Sequence, residues 1–182
     1  MLIARSFIMR KNLLFWQFAG FVIATALGTL LHFIYAWTDW LIFAPISAVN
    51  ESTFEHMKIL FFPMLFFAIF QSFYFKADKD FWWIKGVGIL TAVWSIPTLF
   101  YTFQGAFGEP PAWLNILFFF LSAFIGYGLE YILFIKANGK KWWNILSWSS
   151  LGIMVILFVA FTFYPPKLPL FLDPLTKTYG LI

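Results

Sequence analysis

Five apolar stretches, each long enough to cross a hydrocarbon layer, govern what this chain can become. A bilayer core is about 30 Å thick, so a spanning helix needs roughly 20 predominantly apolar residues. The stretches cover residues 13–37, 57–75, 84–103, 112–135 and 142–164. In hydrocarbon, every backbone N–H and C=O must be satisfied inside the protein, which leaves each stretch the α-helix. The expected fold is all-α: a polytopic integral membrane protein with five transmembrane helices, forming a single membrane domain over residues 1–182. Pro63 and Pro97 interrupt the second and third stretches, and Pro165-Pro166 ends the fifth. Composition agrees. Apolar residues fill 62% of positions and charged ones 11%, against about 45–50% and about 25% in soluble domains.

The cations are distributed unevenly about these spans. Arg5, Arg10, Lys11, Lys76, Lys79, Lys85, Lys136, Lys140 and Lys141 fall on one side; Lys58, Lys167 and Lys177 fall on the other. The positive-inside rule then predicts a cytoplasmic N-terminus and an external C-terminus, in the plasma (cytoplasmic) membrane. Trp82-Trp83 and Trp142-Trp143 suit an aromatic belt at the inner interface; Trp37, Trp40 and Trp113 suit one at the outer interface. The basic, apolar start and Ala24-Thr-Ala26 imitate a signal peptide, but the apolar run continues to Trp37, so a retained span is expected. The segment 40–49 is too short to span and is expected to re-enter or lie along the outer leaflet. The proline-containing tail 165–182 carries Leu168, Leu170, Phe171 and Leu172, and is expected to pack on the outer face. The absence of cysteine excludes disulfides, thiolate metal sites and cysteine nucleophiles. The net charge of +4 follows the membrane rather than a binding stripe, so no nucleic-acid partner is expected. No Gly-x-Ser-x-Gly or Walker-type loop occurs.

In so apolar a chain, ionisable residues gathered at one place point to use. Asn50-Glu-Ser-Thr-Phe-Glu-His56 is such a place, immediately before the second span. His32, Asp39, Glu109 and Asp173 fall on the same predicted side, so both histidines of the chain lie there. Imidazoles and carboxylates suit zinc, iron or manganese. Two His with two or three carboxylates are enough to hold one ion and leave a position for water, which the ion would make nucleophilic near neutrality. His32, His56, Glu51 and Asp173 are the candidate metal ligands, Glu51 and Glu55 the candidate acid–base groups, and Asn50 a further polar group. A structural reading competes: Ser52-Thr-Phe-Glu55 fits a capping box, and Glu55 can pair with Lys58 three residues on. Glu130, toward the inner end of the fourth span, is expected to snorkel to water or meet Lys136. Gly126 and Gly128 beside it permit close helix approach.

Three segments carry a resemblance. Gly28-Thr-Leu-Leu-His32-Phe-Ile-Tyr-Ala-Trp37, the Asn-Glu-Ser-Thr-x-Glu-His string with its flanks up to Pro63, and the Pro-Pro-x-x-Pro-Leu-Phe-x-Asp-Pro tail resemble a family of small bacterial membrane proteins classed only as a domain of unknown function. The resemblance implies five spans and supplies no activity. Its polar pattern falls on His32, Asn50, Glu51, Glu55, His56 and Asp173; where the pattern leads to an acidic residue, this chain has Tyr35.

Two function classes follow. One is a membrane-embedded, metal-dependent hydrolase or transferase acting on a lipid or other outer-leaflet substrate. The other is an ion, proton or small-solute binding or transport protein, with a non-catalytic membrane scaffold as a third reading. The bilayer itself is the one partner the sequence requires.

Overall fold

The computed structural model describes residues 2–75, 78–136 and 141–181, with side chains from residue 12 onward except that of Lys141. The side chains of Arg5, Arg10, Lys11, Lys76, Lys140 and Lys141, which enter the cation count, lie outside the described residues. Five helices form: α1 (Leu2–Thr38), α2 (Thr53–Ser72), α3 (Phe81–Phe107), α4 (Ala112–Lys136) and α5 (Lys141–Phe163). All five are long and apolar enough to cross a membrane, and the described residues contain no strand beyond a single antiparallel bridge, Leu172 to Tyr179.

Apart from α1, which begins at Leu2 and not near residue 13, the helices begin and end close to the expected limits, and the differences at α2 and α3 have local causes. α2 starts four residues before the apolar run, because the Ser52 side chain accepts the Glu55 N–H and caps the helix there. α3 continues past residue 103 to Phe107 and stops at Gly108, whose φ of 86° only glycine adopts readily. Pro63 and Pro97 sit inside α2 and α3 without ending either helix.

Helix α2 is the hub. Over its most apolar 18 residues it is 78% buried, whereas the corresponding parts of the other four are 28–39% buried. α1, α4, α3 and α5 follow one another around it, α1 packing on α4, α4 on α3 and α3 on α5. Phe54, Phe61 and Phe62 of α2 meet Phe158 of α5, and Phe54 also meets Phe171 of the tail, in a continuous aromatic core. Between α5 and α1 the ring stays open, and Phe66, Ile69 and Phe70 of α2 are exposed there. Exposed Leu, Ile, Phe and Trp on the outer surfaces of the helices suit lipid acyl chains and not water.

Two buried ion pairs mark opposite ends of the bundle. At the end where α2 begins, Lys58 Nζ lies 2.6 Å from Glu55 and donates to the Ala44 carbonyl and to Thr162 Oγ1, each at 2.8 Å. This one ammonium ties α2, the 39–52 connection and α5 together. At the other end, Lys85 of α3 meets Glu130 of α4 at 2.5 Å. Glu130 therefore neither snorkels nor reaches Lys136. Gly88, one turn along α3, leaves room for its side chain: a Cβ there would stand 2.2 Å from Glu130 Cγ. Gly126 approaches α3 as expected, but a Cβ on Gly128 would meet nothing within 4 Å.

Candidate metal centre

The site sits where α1 ends and α2 begins. The polypeptide between them doubles back on α1: Ser47 Oγ donates to the Leu31 carbonyl and accepts the Tyr35 N–H, while the Ala48 N–H also reaches Leu31 O. This return brings residues 50–56 alongside His32. Asn50 then sets the entry into α2. Its Oδ1 accepts the Ser52 N–H at 2.9 Å, and its Nδ2 donates to Gly180 O at 2.9 Å. The expected capping box forms only in part, because Asn50 and not Glu55 receives the Ser52 N–H.

Three side chains converge. Glu51 Oε2 stands 3.7 Å from His32 Nε2 and 3.8 Å from His56 Nε2, and one ligand atom from each residue lies within 4.8 Å of the others. Tetrahedral ligands about 2.0–2.2 Å from one ion stand about 3.3–3.6 Å apart, so a small inward movement would close the set. His56 is already oriented. Its Nδ1 is 2.9 Å from the Ser52 carbonyl, which can only accept, so Nδ1 carries the proton and Nε2 presents its lone pair. A backbone carbonyl behind a ligating imidazole is the usual support at metal centres. His32 stacks on Phe33 and meets His56 edge-on, with ring centroids 4.9 Å and 5.4 Å away. Its Nδ1 is buried with no hydrogen-bond partner among the described residues. The His32/Glu51/His56 group can hold a metal ion.

Three other predicted residues do not join this group. The Glu55 carboxylate is held by Lys58 and by the Val49 N–H at 3.0 Å. It turns away from the imidazoles because a buried carboxylate needs its countercharge. Asp173 is buried in the tail, where its carboxylate accepts the N–H groups of Leu175 and Thr176. It shapes the turn that brings Pro174 and Leu175 to the site and lies outside the set of possible ligands. Asn50 positions the backbone instead of facing the imidazoles.

Two cavities meet at the cluster. A groove of about 390 Å³ between α1 and α4 is lined by apolar side chains, among them Phe33, Ile59, Ile116, Phe119 and Phe120, and by His32, Glu51 and His56. A smaller cavity of about 140 Å³ is lined by Tyr101, Gln104, Glu109 and Lys177 together with apolar side chains such as Ile96, Phe100 and Phe118. Glu51, His56, Asn115, Phe119 and Pro174 belong to both. Asn115 was not among the expected site residues. A lone amide one turn into the apolar α4 was its only signal, and its buried Oδ1 has no partner among the described residues.

Gly28 allows the assembly. A Cβ there would lie 2.7 Å from the Ile59 carbonyl oxygen and 2.7 Å from Phe119 Cζ. His32 is one turn further along α1, so pushing α1 away from α2 would withdraw its imidazole from Glu51. Gly28→Ala is expected to weaken metal binding by about 10–100-fold, measured by zinc titration. Gly128→Ala, in open space, is the control; equal affinity in both variants would refute this packing role.

These features define a class: a helical protein whose five apolar helices are compatible with a bilayer, with a His/Glu cluster at one end. The chain belongs to a family of unknown function (DUF6512), which matches residues 6–181. No curated protein and no solved structure matches it.

Proposed function

We propose that this protein is a membrane-embedded, metal-dependent hydrolase or transferase acting at the outer leaflet of the plasma membrane. The observation that carries the reading is the approach of His32, Glu51 and His56 around one point, with His56 already locked in a ligating tautomer. A divalent ion there, zinc, iron or manganese, would supply Lewis acidity and an activated water. His32 and His56 contribute neutral donors. Glu51 contributes Oε2 toward the ion and keeps Oε1 for proton transfer.

The N-in, C-out orientation supports an external site. Setting aside Lys58 and Lys85, which are buried in ion pairs, eight cations remain on the N-terminal side against two on the other. Trp37, Trp40 and Trp113 are exposed at the site end, and Trp142 and Trp143 at the opposite end, as interfacial belts require. Trp40, Leu41 and Ile42, also exposed, would rest in the outer leaflet without crossing it.

The test is metal content. Purified protein incubated with zinc, iron or manganese and then desalted is expected to retain about one ion per chain of at least one of them, by elemental analysis. His56→Ala and Glu51→Gln are expected to lose it while keeping their helical circular dichroism. A wild-type protein that retains none of the three, or a folded His56→Ala variant with full occupancy, would rule the reading out.

A further inference from the structure

The two cavities differ in chemistry, and the difference describes a substrate. The walls of the groove between α1 and α4 are apolar side chains that remain open to the surroundings: Phe33 is 43% exposed, Ile116 60% and Phe120 37%. In a membrane this opening faces acyl chains. The smaller cavity is also walled by Ile96, Phe100, Phe118 and Leu172, but it gathers more polar side chains: Tyr101, Gln104, which donates to Glu109 at 2.7 Å, and Lys177. Glu51 and His56 border both cavities, and the smaller one is the richer in polar side chains. A ligand filling both cavities would be an amphiphile whose apolar chain ends at the cluster.

We propose that the substrate is a carboxylic ester lipid, with one acyl chain in the groove, its carbonyl at Glu51 and His56, and the alcohol portion in the smaller cavity, where Gln104, Glu109 and Lys177 are found. This rests on the metal-dependent hydrolase reading and goes further by assigning the bond. His32, Glu51 and His56 line the same groove as Phe33, Ile116 and Phe120, so an acyl chain lying along the apolar residues would bring its first polar atoms to the cluster. An acyl ester places its carbonyl there, whereas the phosphoester of a glycerophospholipid would interpose the glycerol unit.

The step balances as hydrolysis. Water gives a proton to Glu51 Oε1, and its oxygen bonds to the carbonyl carbon. The bond from that carbon to the alkoxy oxygen breaks, and the proton passes from Glu51 to the departing alkoxide. The products are a fatty acid and an alcohol. Asn115 borders both cavities together with Glu51 and His56, and its side-chain amide N–H group is assigned as the donor to the developing oxyanion. It would then act in the transition state, lowering kcat when removed more than it changes KM.

The experiment compares p-nitrophenyl acetate with p-nitrophenyl dodecanoate, using zinc-loaded full-length protein in nanodiscs. The long-chain ester is expected to be cleaved with at least about tenfold higher kcat/KM. Ile116→Trp, which places an indole in the groove from an exposed position, is expected to reduce that ratio at least fivefold, chiefly through KM, with a similar circular dichroism spectrum. Asn115→Ala is expected to lower kcat for both esters. Zinc-bound protein that cleaves neither ester, or cleaves both with equal kcat/KM, overturns the ester-lipid assignment and leaves the metal centre standing. Protein that holds no metal overturns both.

Discussion

Lys58→Met is expected to destabilise the bundle by about 3–5 kcal/mol, whereas Glu55→Gln combined with Lys58→Met is expected to cost substantially less. The reason is an asymmetry of charge. The Glu55 side chain is only 2% exposed, and with Lys58 gone its carboxylate keeps one hydrogen bond, from Val49. Removing one member of a buried pair strands the other, while removing both charges leaves nothing to solvate. The double variant still loses the bonds from Lys58 to Ala44 and Thr162, so it does not return to wild-type stability. Those bonds hold the connection that carries Glu51, and metal retention is therefore expected to fall in both variants. Denaturant titration followed by tryptophan fluorescence measures the stability and elemental analysis measures the metal. A single variant no less stable than the double would refute the stranded-charge account.

The second large effect is expected at the other end of the molecule. Lys85→Met leaves Glu130 with both oxygens unsatisfied, because its Oε1 already has no partner among the described residues and Lys85 is the partner of Oε2. The expected loss is again about 3–5 kcal/mol, and Lys85→Met/Glu130→Gln should recover most of it. Here the metal measurement separates the two pairs. Lys85 and Glu130 lie away from the imidazoles, so the folded fraction of Lys85→Met should retain its ion, whereas that of Lys58→Met should not. Gln17, Gln71 and Tyr127, also buried with polar atoms unpartnered among the described residues, belong to the same half of the bundle. Buried polar atoms of this kind commonly hold internal water, and such water would soften the penalty in the double variant further. Loss of metal from a folded Lys85→Met protein would show that the two ends are coupled.

Much of this architecture was legible before any coordinates. Each span reports its own transfer free energy into hydrocarbon, a sum over residues adjacent in the chain. The cap at Ser52 was legible for the same reason, since the cap and the N–H it receives are three residues apart. The gathering of His32, Glu51 and His56 was readable as a shared side of the membrane, because topology sorts polar groups by face. What could not be read was which of them touch. Glu55, one turn from Glu51, resembles it in every local respect, yet it faces Lys58 while Glu51 faces the two imidazoles. Asp173 was placed on the correct end but is consumed by its own turn.

The sequence by itself determined five apolar helices, their limits to within a few residues at most ends, and the polar character of one end, because those properties are sums over neighbours along the chain. Tertiary structure alone decided that Gly28 lets α1 close on α2, that Lys85 finds Glu130 and not water, and that Asn115 borders both cavities beside Glu51 and His56. These are outcomes of helix-on-helix packing. A shift of one helical turn between two helices would leave every local signal intact and separate all of these partners.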